Sequence, residues 1–536
     1  MHEKEVSMRA EPQQFLLHFY EKSVSLCSLF LVINVIQRWL VSLGSYSGSS
    51  SPPMYGDYEA QRHWMEITRN IPMAEWYYNS TNNDLMYWGL DYPPLTAFVS
   101  YAFGFVIQYL NSDMIALTSS RGYETPTSKV IMRSSVILSD LLVLFPAVYL
   151  SVRVMYRSAS RAQTYEKWRL KTLAPYLILS QPAFILIDHG HFQYNNISLG
   201  LTAAAVALIY CDHDFLASVA YCLTLNFKQM TLYFAPAFGV YLLSKCCYGD
   251  KCILHLMKLS VAVLITFGML WLPFCIYRPL DSTCLSSWQQ ILHRIFPVAR
   301  GLFEDKVSNV WCVLDLVYKA RHHISRSKQL LLCTFTTLLA LTPSMIDLLR
   351  RKPTKTRFSL SLVNASLSFF LFSFQVHEKS ILFPLLPVSL LVGKSPLIVG
   401  WFGLVATFSI YFLLAKDGQS LQYFVLQIIH TLTALIPYNS GGFEISRCIV
   451  APGHSAYGIP NHFLQTSVKV SLLGMVILHA ISLLVPPPVR YPYIHECLFA
   501  TFSCGCFLLA LAYFTYWQWT LEDTEEKEES AIKKSI

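Results

Sequence analysis

Apolar runs broken by short basic or aromatic stretches recur from residue 23 to residue 517. Runs of about 17 to 25 apolar residues suit helices that cross a bilayer, because lipid satisfies no backbone hydrogen bond and a helix satisfies its own. The pattern predicts spans at 23–43, 129–151, 172–188, 195–211, 214–226, 230–246, 252–275, 329–349, 357–375, 381–396, 399–415, 420–437, 468–487 and 494–517. The expected fold is therefore an all-α polytopic membrane protein of about 14 transmembrane helices. A single multi-span domain, 23–517, lies between a cytosolic segment, 1–22, and a cytosolic tail, 518–536. The first run is interrupted by Arg38 and has no small-residue cleavage site, so it reads as a retained signal anchor. With the N-terminus in the cytosol, two basic clusters fall on the cytosolic side: Arg157, Arg161, Lys167, Arg169 and Lys171, then Arg350, Arg351, Lys352, Lys355 and Arg357. The long loops 44–128 and 276–328 then face the lumen. Counting PLTAFVSYAFGFVIQYL (94–110) as a span would invert this order, so it reads as a helix lying at the lumenal interface.

Composition agrees with a membrane class. Hydrophobic residues make up 54% of the 536 positions and charged residues 14%, against about a quarter in soluble chains. The net charge of +8 sits mostly in short loops between apolar runs, which argues for positive-inside topology and not for nucleic acid. Fourteen cysteines form no CxxC or zinc spacing, and most, such as Cys222 and Cys333, lie within apolar runs. Cys284 and Cys312 share the second long loop and are candidates for a disulfide. Walker, GxGxxG and HExxH patterns are missing. The final Lys533-Lys534-Ser-Ile matches the dilysine signal that coat proteins read on endoplasmic reticulum membrane proteins.

Ionisable residues cluster where the expected topology faces the lumen, and charges at membrane depth are costly enough to suggest a site. GDYEAQRHW (56–64) carries Asp57, Glu59, Arg62 and His63, and the Pro-fixed turn DYPP carries Asp91. Asp57 after Gly56 is either a helix N-cap or a base. A carboxylate there can take the proton of a sugar hydroxyl, and a phosphate leaving group then needs cations more than an acid. His377 and Lys379 in FQVHEKS, with Arg62, Lys228, Arg294 and Arg300, are the candidates for that role; each alternatively contacts lipid headgroups. His63 is likewise a substrate or headgroup contact. Asp188, His189 and His191 in DHGHFQYN do not have metal-ligand spacing and read as polar groups near substrate or as a hydrogen-bonded turn. Trp64, Trp76, Tyr77, Tyr78, Tyr87 and Trp88 suit either sugar stacking or an interfacial belt. Asn79-Ser-Thr is a usable glycosylation sequon, whereas Asn196 and Asn364 fall in or beside spans. The patch Lys319, Arg321, His322, His323, Arg326 has no topological account beyond anionic ligands or headgroups.

At YGDYEAQRHWMEIT, YWGLDYPPLTAF, IDHGHFQYN, RIFPVARGLFEDKVSNVWC and FFLFSFQVHEKSIL the chain resembles the endoplasmic reticulum dolichyl-phosphate-glucose-dependent α-1,3-glucosyltransferases, glycosyltransferase family 57. The likeness runs in order from about residue 37 to 400 and fades over 400–536. GDYEAQRHW and GLFEDKV favour the members that add the first glucose to Man(9)GlcNAc(2) over the paralogue that adds the second. The resemblance implies a GT-C fold with interfacial helices in the first lumenal loop. It also implies an inverting transfer without metal or other cofactor. The partners it implies are dolichyl-phosphate glucose, a dolichyl-pyrophosphate-linked oligosaccharide and membrane lipid. It makes Asp57, of the G-D-Y motif, the catalytic carboxylate, and it places His377 and Lys379 in a motif whose phosphate role is an inference. A lipid-linked sugar transporter is the competing class; it would show inverted repeats and mid-membrane charges, whereas no repeat is visible and the charges gather on one face.

Overall fold

A computed structural model describes residues 26–157, 164–249, 251–296, 306–435 and 461–521; Arg300 and Lys533-Lys534 lie outside them. Among the described residues all regular structure is helical. Among the described residues six helices are long and apolar enough to cross a membrane: Pro126–Met155, Gln229–Cys247, Cys252–Ile276, Arg326–Arg350, Leu464–Leu484 and Ile494–Thr520. Their outer faces display Leu264, Met269, Leu331 and Val476, all more than 60% exposed. Contiguous apolar surface of that kind needs lipid against it. The chain is a multi-pass membrane protein.

The count of fourteen spans does not follow from these helices. Five further predicted spans appear as apolar helices of 10–17 residues: Leu26–Ser42, Asn195–Tyr210, Asp214–Phe227, Pro396–Phe408 and Ser420–Leu435. At about 1.5 Å per residue the three bounded by described residues at both ends, Asn195–Tyr210, Asp214–Phe227 and Pro396–Phe408, fall short of a hydrocarbon core about 30 Å thick, whereas Leu26–Ser42 and Ser420–Leu435 each stop where the described residues do. Prolines account for part of the shortening. The expected 172–188 span breaks at Gln181, held extended ahead of Pro182, into Thr164–Leu179 and a separate turn Pro182–Ile185 that continues as the wide helical turn Leu186–Phe192. The 381–396 span contracts to Leu382–Leu390, and 399–415 divides between Pro396–Phe408 and Tyr411–Lys416. Lys355–Phe372 matches its prediction and is buried nearly all round.

Arg38, the interruption in the first apolar run, is fully buried and faces protein. Its Nε donates to Asp140 Oδ2 at 2.6 Å and its Nη2 to the Leu179 carbonyl at 3.0 Å, tying Leu26–Ser42 to two other helices. The stretch 94–110 forms the helix Pro94–Leu110. One side buries Ala97, Ser100, Gly104 and Ile107, while Tyr101, Phe105, Tyr109 and Leu110 face outward. A half-buried helix with an apolar outer face suits an interface. Gly104 is needed for its packing against Asp57–Asn70, since a Cβ there would lie 2.7 Å from the Met65 carbonyl oxygen.

The disulfide differs from the expected one. Cys284, opening the helix Cys284–Ile295, bonds to Cys275 near the end of Cys252–Ile276, and Cys312 is a thiol. Cys275 closes the apolar run 252–275, and its place one residue before the helix end brings its Cα within 4.5 Å of Cys284.

Candidate active site

The turn that delivers Asp57 is built from residues 44–56. Gly56, not Asp57, is the N-cap of Asp57–Asn70, and no side chain caps the helix. Gly56 is extended (φ −152°), so it does not supply a bend. It is required by proximity: a Cβ would lie 2.6 Å from the Ser47 carbonyl carbon and oxygen. Asp57 N–H donates to Ser47 Oγ, which leaves the Asp57 carboxylate free of capping.

That carboxylate is gripped on one oxygen. Asp57 Oδ2 accepts from Lys379 Nζ at 2.6 Å, from His191 Nε2 at 3.0 Å and from Gln193 Nε2. Among the described residues Oδ1 accepts from no partner, and the side chain is 21% exposed. Burial alone would push the carboxyl upward, but Lys379 and then His191 outweigh it and hold it well below the usual carboxylate range. The group is therefore an anion with one oxygen fixed and the other open.

The three donors arrive on two segments. His191 and Gln193 flank Phe192, whose φ of +87° is rare for a bulky side chain and costs about 1–3 kcal/mol. This backbone state is stabilised by packing: Phe192 is fully buried against Tyr58 and Tyr194, and Arg133 binds the carbonyls of His189 and Gly190. Lys379 sits on the short turn Glu378–Ile381, reached through Gln375, another positive-φ residue (+58°). His191 Nδ1 donates to Asp417 Oδ2 at 2.5 Å, so the imidazole bridges two carboxylates. Burial and Lys379 disfavour the imidazolium, yet the two aspartates win and its pKa is raised above the ordinary histidine value.

A second cation lies behind Gln193. Lys228 Nζ donates to Gln193 Oε1 at 3.2 Å and to Asn195 Oδ1, and it stands 4.9 Å from the Tyr92 ring centroid. Burial, with Lys379 next, pulls its pKa down to about 8. Asp91 is half-buried nearby, and its charge acts on Lys228. Its backbone oxygen accepts from Gln229.

The other sequence candidates are placed elsewhere. Arg62 is completely buried between Glu59 (2.6 Å) and Glu66 (2.8 Å), and also donates to Ser120 and the Met114 carbonyl. His63 Nδ1 lies 3.2 Å from Glu66 and packs on Tyr87. These two brace the helix and do not face Asp57. Burial raises the Glu66 carboxyl, but His63 and Arg62 bring it to about 2. His189 is buried against Asp140 at 3.0 Å, in the Arg38 cluster. Arg294 donates to the carbonyls of Gly89 and Leu90, bracing the turn before Asp91. His377 is half-buried at the start of the Lys379 turn. Asn79 is exposed, and Asn196 and Asn364 are buried. In the basic patch, Arg321 pairs with Asp315 at 2.6 Å. Gln193, Asn195 and Asp417 were not among the candidates. The DHGHFQYN string contains the first two, whereas Asp417 stands in an Asp-Gly turn beyond residue 400 with no sequence signal that ties it to the others.

A model of the ALG6, ALG8 glycosyltransferase family matches residues 2–513. The chain belongs to that family. It is 40% identical over 513 residues to a Dictyostelium discoideum protein described as a probable dolichyl pyrophosphate Man9GlcNAc2 alpha-1,3-glucosyltransferase, covering 92% of this chain and 95% of the relative. A Gallus gallus protein of the same description, without "probable", is 42% identical over 506 residues, with 91% and 96% covered. A Schizosaccharomyces pombe relative is 40% identical over 519 residues, covering 96% and 94%. The family likeness thus extends well past residue 400, over the segment that supplies Asp417.

Proposed function

We propose that this chain transfers glucose from dolichyl-phosphate glucose to the terminal mannose of dolichyl-pyrophosphate-linked Man(9)GlcNAc(2). The linkage formed is α-1,3, with inversion at the anomeric carbon. The observation that carries this reading is Asp57, an anion held through Oδ2 with Oδ1 open and two lysines close by. The mannose 3-hydroxyl gives its proton to Oδ1 as its oxygen attacks the anomeric carbon. The bond to the donor phosphate breaks and dolichyl phosphate leaves with the electron pair. Lys379 can move from Asp57 to the phosphate, and Lys228 lies close behind it; each would stabilise charge that develops only as the bond breaks, and His377, two residues before Lys379, is a further candidate for that role. Arg300 and Asp91 remain candidates for substrate contact. No step requires a metal.

The fold is read as GT-C, with Pro94–Leu110 at the interface and both lipid tails in the bilayer. The site faces the lumen of the endoplasmic reticulum. The Cys275–Cys284 bond supports that orientation, since disulfides persist in oxidising compartments. Coat proteins are the partners proposed for Lys533-Lys534, and Asn79 is the proposed glycan acceptor.

The purified protein is incubated with dolichyl-phosphate glucose and the nine-mannose lipid-linked acceptor, with and without EDTA. One added hexose in both arms, and none on an acceptor already carrying one glucose, is expected. Absence of transfer refutes the function, and loss with EDTA refutes the metal-free chemistry.

A further inference from the structure

We propose that Asp417 is a positioning residue for the reaction: it holds His191 as an imidazolium that pins Asp57 Oδ2, leaving Oδ1 turned to the acceptor. This rests on the assignment of Asp57 as base. The geometry is a line of three groups from distant parts of the chain. Asp57 Oδ2 lies 3.0 Å from His191 Nε2, and His191 Nδ1 lies 2.5 Å from Asp417 Oδ2. A neutral imidazole carries one N–H and cannot donate at both ends, so two carboxylate partners select the doubly protonated ring.

Charge balance points the same way. Lys379 and a protonated His191 both converge on Asp57 Oδ2, with Lys379 Nζ only 3.2 Å from His191 Nε2. One carboxylate against two cations would leave an uncompensated buried charge. Asp417, only 7% exposed at its side chain, completes the balance. The groups acting on His191 are Asp57 on its helix, Lys379 on the Glu378–Ile381 turn and Asp417 after Tyr411–Lys416. Asp417 is in turn within electrostatic reach of Arg133, from Pro126–Met155.

Asp417 is itself set by local backbone. Gly418 follows at φ +74°, a left-handed turn that ends the Tyr411–Lys416 helix. Gln419 then reaches across to the Ser45 carbonyl, in the turn before Gly56. One tight turn from the C-terminal third thus holds both the histidine and the loop that delivers the base.

The test compares wild type with Asp417→Asn in glucose transfer across pH. If the ring loses its second carboxylate, its pKa drops, Nε2 no longer donates to Asp57, and the alkaline limb of kcat moves down by about one to three pH units. At neutral pH kcat falls at least about tenfold, the loss expected for one charged hydrogen bond. KM for both lipids is unchanged. Asp417→Glu, which keeps the charge, retains the wild-type alkaline limb. An unmoved limb, or a change in KM alone, overturns the proposal. Should Asp417→Asn fail to purify folded, Asp417→Glu against Asp417→Gln carries the same comparison, and equal profiles overturn it. Asp57→Asn distinguishes the levels. If it is inactive while Asp417→Asn is normal, only the role of Asp417 fails; if Asp57→Asn is active, the base assignment fails first.

Discussion

Replacing Lys379 by methionine removes its charge while keeping most of its length, and it should slow transfer in two separable ways. Lys379 Nζ lies 2.6 Å from Asp57 Oδ2, with both side chains 21% exposed. A charged hydrogen bond with this little exposure is worth about 1.5–3 kcal/mol. That interaction helps keep the Asp57 carboxyl low, so the variant's carboxyl titrates higher. A base is lost as pH falls through its pKa, so the acid limb of kcat moves to higher pH. The second effect concerns the leaving phosphate. Removal of one preorganised donor to developing charge costs about 2.7–4 kcal/mol, or about 10²–10³ in kcat. Steady-state transfer by purified Lys379→Met over an acid-to-neutral pH series checks both, and Lys379→Arg should recover part of the rate. Near-wild-type kcat with an unmoved acid limb would refute the reasoning. The linkage sign is fixed as well: a depressed aspartate stabilises the fold above the unfolded value of about 3.9 and loses that contribution as pH falls through the folded value.

Two further outcomes follow from the packing. Arg38→Met strands a buried Asp140 and should cost about 3–5 kcal/mol, read as a lower Tm in detergent; Arg38→Met with Asp140→Asn, which keeps bonding to His189 and Asn196, should recover most of it. Gly56→Ala forces a Cβ within 2.6 Å of Ser47 backbone, displacing the Asp57 turn; kcat should fall about 10²-fold for a shift near 1 Å, with KM for both lipids little changed.

Hydropathy revealed the membrane class and most helix positions because lipid imposes one rule on every spanning segment. It does not register the breaks at Pro182 and at Ser409–Ile410, where local backbone divides an apolar run that hydropathy averages across. Asp57, His191 and Lys379 were legible because each sits in a polar turn between apolar runs, so their cost required an explanation. Arg62 and His63 shared that signal, but sequence spacing could not show that Glu59 and Glu66 turn them inward. Asp417 was invisible for the opposite reason. An aspartate before a glycine at a helix end has an ordinary local role, and only the chain's long-range return brings it against His191.

The central claim is that Asp57 accepts the acceptor proton, and Asp57→Asn tests it most directly because the amide keeps the shape and removes the basic oxygen. In single-turnover glucose transfer to the nine-mannose acceptor, with bound substrates measured separately, the rate should fall about 10²–10⁴-fold while both lipids still bind. Transfer at the wild-type rate by the asparagine enzyme would contradict the account.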